Sequence, residues 1–295
     1  MAKIALDLDR ALAARKTRGT PSAISSRVLA SGIGWTVSDV LCTHGPQDRA
    51  YEERHTQPTI AIVLAGSFQY RCPAGYSLMT PGALLLGSAG RCFHCSHEYG
   101  EGDRCVAFTY EVDYFERLAT DAGVRGRQFV FPAAAVPALR GVSSFVVSAS
   151  AGILGAQDVS WGELAVGLAG RAIQLTAGVS SNERTQPSNA EARVSRIVRG
   201  ISGLPDGSLT LDALAEQAAL SPFHFLRTFK QVTGVTPHQY VRRSRLREAA
   251  TRLLTGRAKV LDIALECRFD DVSSFNRAFR AEFGVSPRLF RSASR

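Results

Sequence analysis

LDALAEQAALSPFHFLRTFKQVTGVTP at 211–237 and LDIALECRFDDVSSFNRAFRAEFGVSP at 261–287 are one pattern written twice, 50 residues apart. Nine positions coincide: Leu211/Leu261, Asp212/Asp262, Glu216/Glu266, Phe225/Phe275, Arg227/Arg277, Phe229/Phe279, Gly234/Gly284, Val235/Val285 and Pro237/Pro287. Lys230/Arg280 and Thr236/Ser286 add two conservative matches. A fixed-period repeat implies one supersecondary unit used twice.

The unit reads as helix-turn-helix. Thr210 can cap a short first helix, whose apolar residues Leu211, Leu214, Ala215 and Ala218 fall at helical spacing. Ser221-Pro222 restarts the chain, because serine caps well and proline suits the first helical position. In the second helix Phe225, Phe229 and Val232 share one face, and Gly234 stops it. His224, Arg227 and Lys230 lie on or beside the opposite face. An apolar stripe behind a basic face is what a helix reading the major groove needs.

In the second copy Leu261, Ile263, Ala264 and Leu265 are expected to build the first helix. Asp271 caps the second, which turns Phe275 and Phe279 inward and leaves Ser273, Asn276, Arg277 and Arg280 available. Pro237 opens a spacer helix through Leu254, with Arg242, Arg243, Arg245, Arg247 and Arg252 decorating it. One DNA turn is roughly 34 Å, so a rigid spacer points to two successive major grooves on one face of the duplex.

These residues resemble the AraC/XylS family of bacterial transcription regulators. The resemblance covers about the last 100 residues. It implies two helix-turn-helix units joined by a helix, with base-reading positions at Phe223, His224 and Arg227 and at Ser273, Asn276 and Arg277. The family usually has Gly-Phe in the second turn, where this chain has Arg268-Phe269. If that turn is left-handed, arginine costs roughly 1 kcal/mol there.

Charge follows the same division. Residues 191–295 hold 18 Lys+Arg against 10 Asp+Glu, so they carry nearly all of the formal +9. A basic domain beside a near-neutral one suits a double-stranded DNA reader joined to a sensor. No run of 18 apolar residues suggests a membrane span, and the N-terminus lacks the apolar core of a secretory signal. Six cysteines without a regular framework suggest reduced thiols in a cytoplasm.

Residues 25–110 read as short strands, with candidates at 33–41, 59–64, 67–72, 83–86 and 105–110, punctuated by Gly and Pro turns. The rhythm suggests a sandwich or small barrel, and it resembles the cupin-type sensor domain of many AraC relatives. The expected fold is therefore α+β in two domains: a cupin-like β-barrel with following helices, then an all-α domain of two helix-turn-helix units. Residues 1–24 are read as a flexible or weakly helical tail, 25–178 as the sensor and dimerisation domain, 179–190 as the linker and 191–295 as the DNA-binding domain. The helix expected at 159–177 either makes the homodimer contact, as the resemblance implies, or packs on its own barrel.

RCFHCSHEYGEGDRC at 91–105 gathers Cys92, His94, Cys95, His97 and Cys105. Alternate residues of a strand share a face, so Cys95 and His97 point one way. The turn at 100–103 is expected to fold the next strand back and bring Cys105 alongside. Cys95, His97 and Cys105, with His55 or Cys42 as a fourth donor, could hold zinc or another transition metal. A thiol switch, with Cys95 meeting Cys105 across a hairpin, and plain structural cysteines are the alternatives.

The sequence thus predicts a DNA-binding transcription regulator and no enzyme. By resemblance it is an activator that brings RNA polymerase to a promoter, and it responds to an unidentified effector, a metal or a redox signal. Two rivals are a cupin metal or thiol enzyme, or an alkyl acceptor, with DNA binding attached, and a constitutive architectural DNA binder.

Overall fold

The structure, a computed structural model, describes residues 2–48, 51–124, 128–156, 159–177, 189–202 and 209–292. It opens with a helix, α1 (Ala2–Arg18), which buries Ile4, Leu8 and Leu12. The i, i+4, i+8 spacing makes one apolar stripe, and the stripe joins the main core. The segment expected to be a tail is thus a packed element. Its charges sit on the outward face, which is why it reads as polar when scanned as a string.

Among the described residues ten strands follow in two antiparallel sheets. They are β1 (Ile24–Gly32), β2 (Trp35–Cys42), β3 (Tyr51–Arg54), β4 (Thr59–Gly66), β5 (Phe68–Cys72), β6 (Gly75–Met79), β7 (Leu84–Gly87), β8 (Cys92–Ser96), β9 (Asp103–Tyr110) and, after helix α2 (Val112–Asp121), β10 (Ala135–Val136). The larger sheet runs β1-β2-β9-β4-β7-β10 and the smaller β3-β8-β5-β6. Helices α3 (Ser143–Ile153) and α4 (Trp161–Thr176) complete the N-terminal domain.

The central strands of the larger sheet are apolar on both faces, and both faces are covered. Ile60, Ile62, Leu64, Val106, Phe108 and Tyr110 pack against α1, α2, α3 and α4. Ala61, Val63 and Cys105 turn the other way, onto Phe68, Tyr70, Met79 and Cys95 of the smaller sheet. The result is a layer of helices, a large sheet and a small sheet, not closed into a barrel. Among the described residues β1 and β10 are the open edges of the larger sheet and β3 and β6 those of the smaller, and the hairpin expected at 100–103 is not formed. The neighbours of β8 are β3 and β5, and those of β9 are β2 and β4. The turn therefore crosses between sheets and does not close a hairpin.

The C-terminal domain is all helical: α5 (Asn189–Ser202), α6 (Leu211–Gln217), α7 (Pro222–Thr233), α8 (Pro237–Thr255), α9 (Val260–Glu266), α10 (Val272–Phe283) and α11 (Pro287–Ser292). Two small cores hold it, one around Phe225 and Phe229 and one around Phe275 and Phe279. Residues 179–188 of the expected linker lie outside the described residues.

The two domains share these cores. Leu78 and Ala138 enter the first, and Val147 enters the second. Arg247, expected on the surface of the spacer, is 2% exposed. It donates to Pro81 O and Ala138 O, both at 3.4 Å. Of the five spacer arginines only Arg242 is exposed: Arg243 and Arg247 reach N-terminal-domain carbonyls, and Arg245 and Arg252 bond within the C-terminal domain.

Candidate nucleic-acid interface

Each recognition helix is fixed at both ends by its own sequence. In the first unit Ser221 Oγ accepts from His224 N, Pro222 occupies the first turn, and Gly234 ends the helix at φ 76°. In the second, Asp271 accepts from Ser274 N at 2.7 Å, and Gly284 ends the helix at φ 82°. Only glycine takes that left-handed conformation freely. The hydrogen bonds from Ser274 hold the Asp271 carboxyl below the usual carboxylate range. The spacer α8 starts with a reciprocal capping box between Thr236 and Gln239.

Within α7 and α10 the inner face is aromatic. Phe225 and Phe229 meet at 5.5 Å between ring centroids, as do Phe275 and Phe279. That packing turns the remaining faces outward. Phe223, His224, Arg227 and Lys230 are all exposed, as are Ser273, Asn276, Arg277 and Arg280. Phe223 is 70% exposed, which is unusual for a large aromatic with nothing to cover it. Among the described residues, none of Arg227, Lys230, Arg277 and Arg280 forms an ion pair with an acid. Arg277 Nη2 donates to Ser274 Oγ at 3.3 Å, which steadies it from its own helix.

The repeat is not in one register throughout. The recognition helices align at an offset of 50, but the first helices align at 49. Buried Leu214 and Ala215 correspond to buried Ile263 and Ala264, and Ala218 corresponds to Cys267. The second unit inserts one residue in its turn. Leu261 and Leu265 lie in α9 as expected but are each 49% exposed, because the sequence identities at 211/261, 212/262 and 216/266 are one residue out of structural phase. Ala219 (φ 51°) and Arg268 (φ 63°) are equivalent in this register, and both are left-handed.

The cysteine–histidine stretch belongs to the N-terminal domain. His97 Nε2 and Asp103 Oδ1 are 2.8 Å apart, and both side chains are buried. The Cys105 thiol donates to Asp103 Oδ2 at 3.2 Å. Cys42, His97 and Asp103 each present one donor atom within 4.8 Å of the others. Of the trio Cys95, His97 and Cys105, only His97 is in this group. Cys105 reaches it through Asp103, and Cys95 of β8 packs with Cys105 in the core between the sheets. Of the two fourth candidates Cys42 belongs, and His55 does not. His55 is stacked on Phe93 at 4.1 Å, with Nε2 2.9 Å from Tyr70 OH. Sequence reasoning missed Asp103 by weighing only Cys and His; its place just past the Gly100–Gly102 turn was the available signal.

Comparison with known proteins concentrates on the C-terminal part. A helix-turn-helix domain family matches residues 214–293. The HTH-type transcriptional activator AarP of Providencia stuartii is 38% identical over 98 residues, 33% of this chain and 73% of that protein. Transcriptional regulator Rob of Salmonella typhimurium is 40% identical over 94 residues, 32% of each chain. The HTH-type transcriptional activator RhaS of Escherichia coli is 42% identical over 106 residues, 35% of this chain and 38% of that protein. The match thus spans only about a third of the length of Rob and RhaS. The DNA-binding domain of AdpA, solved with a target DNA, is 27% identical, covering 34% of this chain and 91% of that one, with a TM-score of 0.33.

Proposed function

This chain belongs to the AraC family of helix-turn-helix transcription regulators, and from that premise we propose that it activates transcription by binding a specific duplex site through α7 and α10. The observation that carries the reading is the pair of equivalent helices. Each is capped at both ends, backed by two phenylalanines, and presents uncompensated basic and polar side chains to solvent. Phosphate contacts from the arginines supply salt-dependent affinity, and the recognition residues supply discrimination.

In this reading Phe223, His224 and Arg227 meet one stretch of base edges and Ser273, Asn276 and Arg277 the next. Lys230 and Arg280 sit beside them for phosphate. The chain acts in the cytoplasm as a regulator and not as a catalyst, and it recruits RNA polymerase. No helix among the described residues is long and apolar enough to cross a membrane. The N-terminal domain receives the signal. Its helix α4 already buries Leu164, Leu168, Ala172 and Ile173 on its own sheet, so a homodimer contact through α4 falls to the outward face around Val166.

Enrichment from a randomised duplex pool tests this. The full chain should select one sequence family and bind it at least 10³-fold more tightly than random duplex, the lower end for specific binders. Recovery of unrelated sequences with equal affinity would overturn the specific reading and leave an architectural binder.

A further inference from the structure

A carboxylate, an imidazole and two thiols are buried together, and among the described residues no lysine or arginine pairs with the carboxylate. Arg104, the residue after Asp103, is held elsewhere by Asp39, at 2.9 and 2.8 Å. The segments carrying these groups are tied to each other, since Gly102 N donates to His44 O at 2.7 Å. Their approach depends on two left-handed glycines. A Cβ on Gly66 would lie 2.2 Å from Gly102 O, and one on Gly102 would lie 2.8 Å from Cys42 O. Leu8 and Leu12 of α1 close the same turn from outside. His44 Nδ1 stands 3.2 Å from Cys42 Sγ.

We propose that Cys42, His44, His97 and Asp103 form a binding site for a divalent transition metal, zinc or a close analogue, and that the DNA-binding domain senses its occupancy through the 97–103 turn. Thiolate, imidazole and carboxylate are zinc's donor types, and bonds of about 2.0–2.3 Å place tetrahedral neighbours roughly 3.3–3.8 Å apart. The donor atoms of Cys42, His97 and Asp103 lie within 4.8 Å of one another, about an ångström wider than that, and His44 joins them through Cys42. Cys105 is a positioning residue, holding Asp103 from behind through its thiol. A bound cation would replace the Cys42 thiol proton.

The route to the DNA-binding domain is short. Tyr99 O, in the same turn, accepts from Ser195 Oγ at 3.3 Å and from Arg199 Nη2 at 3.0 Å, both on α5. Ser195 Oγ also meets Ser67 Oγ at 2.7 Å. Moving His97 and Asp103 onto a metal therefore pulls on the helix that seats the first helix-turn-helix unit. The coupling rests on the N-terminal domain being the sensor; the metal site does not.

The test uses the full chain under reducing conditions, titrated with Co²⁺ and then Zn²⁺. One Co²⁺ per chain should bind and produce a thiolate-to-cobalt charge-transfer band, which Zn²⁺ abolishes by displacement. Cys42→Ser should remove the band and His97→Gln should weaken binding at least tenfold, whereas Cys95→Ser should keep both. No stoichiometric Co²⁺, or no thiolate band in the wild type, overturns the site without requiring any variant to fold. Affinity for the selected duplex is then measured with Zn²⁺ and with chelator. A change of about five- to 150-fold is expected for coupled sites. Equal affinities with metal bound overturn the coupling alone, and duplex binding by the metal-free chain keeps either result separate from the DNA-binding reading.

Discussion

Arg247 fills the space that a side chain at residue 82 would need: a Cβ on Gly82 would stand 1.5 Å from Arg247 Nη1. Gly82 is also left-handed, at φ 92°. The fit locks the spacer helix of the DNA-binding domain into the turn between β6 and β7. It does so with few strong bonds. The guanidinium meets only carbonyl oxygens, and its Nε has no partner among the described residues. Burial draws its pKa down to about 10.

Gly82→Ala should therefore loosen the seam between the domains. Positive φ costs roughly 1 kcal/mol for alanine, and displacing the packed guanidinium adds to it. We expect about 2–3 kcal/mol lost in urea unfolding, within the upper range for single substitutions. Combining it with Arg247→Ala should cost clearly less than the sum of the two, because the second change opens the space the first requires. Strict additivity would show that the two residues do not compete for one volume.

Arg227→Ala and Arg277→Ala divide the recognition surface by role. Each should weaken binding to the selected duplex by about 1–3 kcal/mol if its guanidinium reads a base. Binding to random duplex should change little. An equal loss on both, with a shallower salt dependence, would reassign that arginine to phosphate. Fluorescence anisotropy on the two duplexes separates these outcomes.

Arg268→Gly should stabilise the chain by roughly 0.5–1 kcal/mol. The residue sits at φ 63° in the longer of the two turns, and glycine adopts that conformation without the Cβ clash, offset in part by its freer unfolded state. The bond from Arg245 Nη1 reaches the backbone oxygen of Arg268 and survives the change. Urea midpoints measure the gain; a loss would mean that the arginine side chain outweighs the backbone strain.

Acid should weaken the N-terminal domain through His55. Burial pulls its pKa down to about 4. The folded state therefore refuses a proton that the unfolded state accepts near pH 6.5. The contribution is intact above pH 6.5 and is lost as pH falls from there toward 4, by at most roughly 3 kcal/mol. His55→Gln keeps a hydrogen-bonding partner for Tyr70 OH and has no proton to gain. Its stability should be flatter across that window; an unchanged slope would place the acid sensitivity elsewhere.

What the sequence revealed, and what it hid, follows from the range of the interactions. Caps, glycine stops and aromatic stripes are local, so α7, α8 and α10 were legible from Ser221, Gly234, Pro237 and Asp271. The strands at 59–64 and 105–110 were legible because their residues are apolar and β-branched or aromatic. The one-residue slip between the two copies was not, since only burial distinguishes Leu261 and Leu265 from Ile263 and Ala264. Arg247 gave no sign of its burial, because its acceptors Pro81 and Ala138 lie in another domain. Likewise α1 read as a tail, since its three buried side chains have meaning only against β4 and β9. Asp103 joins His97 through a chain crossing between sheets, which no periodicity records.

The measurement that bears most directly on the account is a methylation-protection footprint of the full chain on its selected duplex. Two tandem units joined by α8 predict two patches of protected major groove about one helical turn, roughly 34 Å, apart on one face. Arg227→Ala should erase one patch and Arg277→Ala the other. A single patch, or protection with no groove preference, would contradict the claim that both helices read DNA.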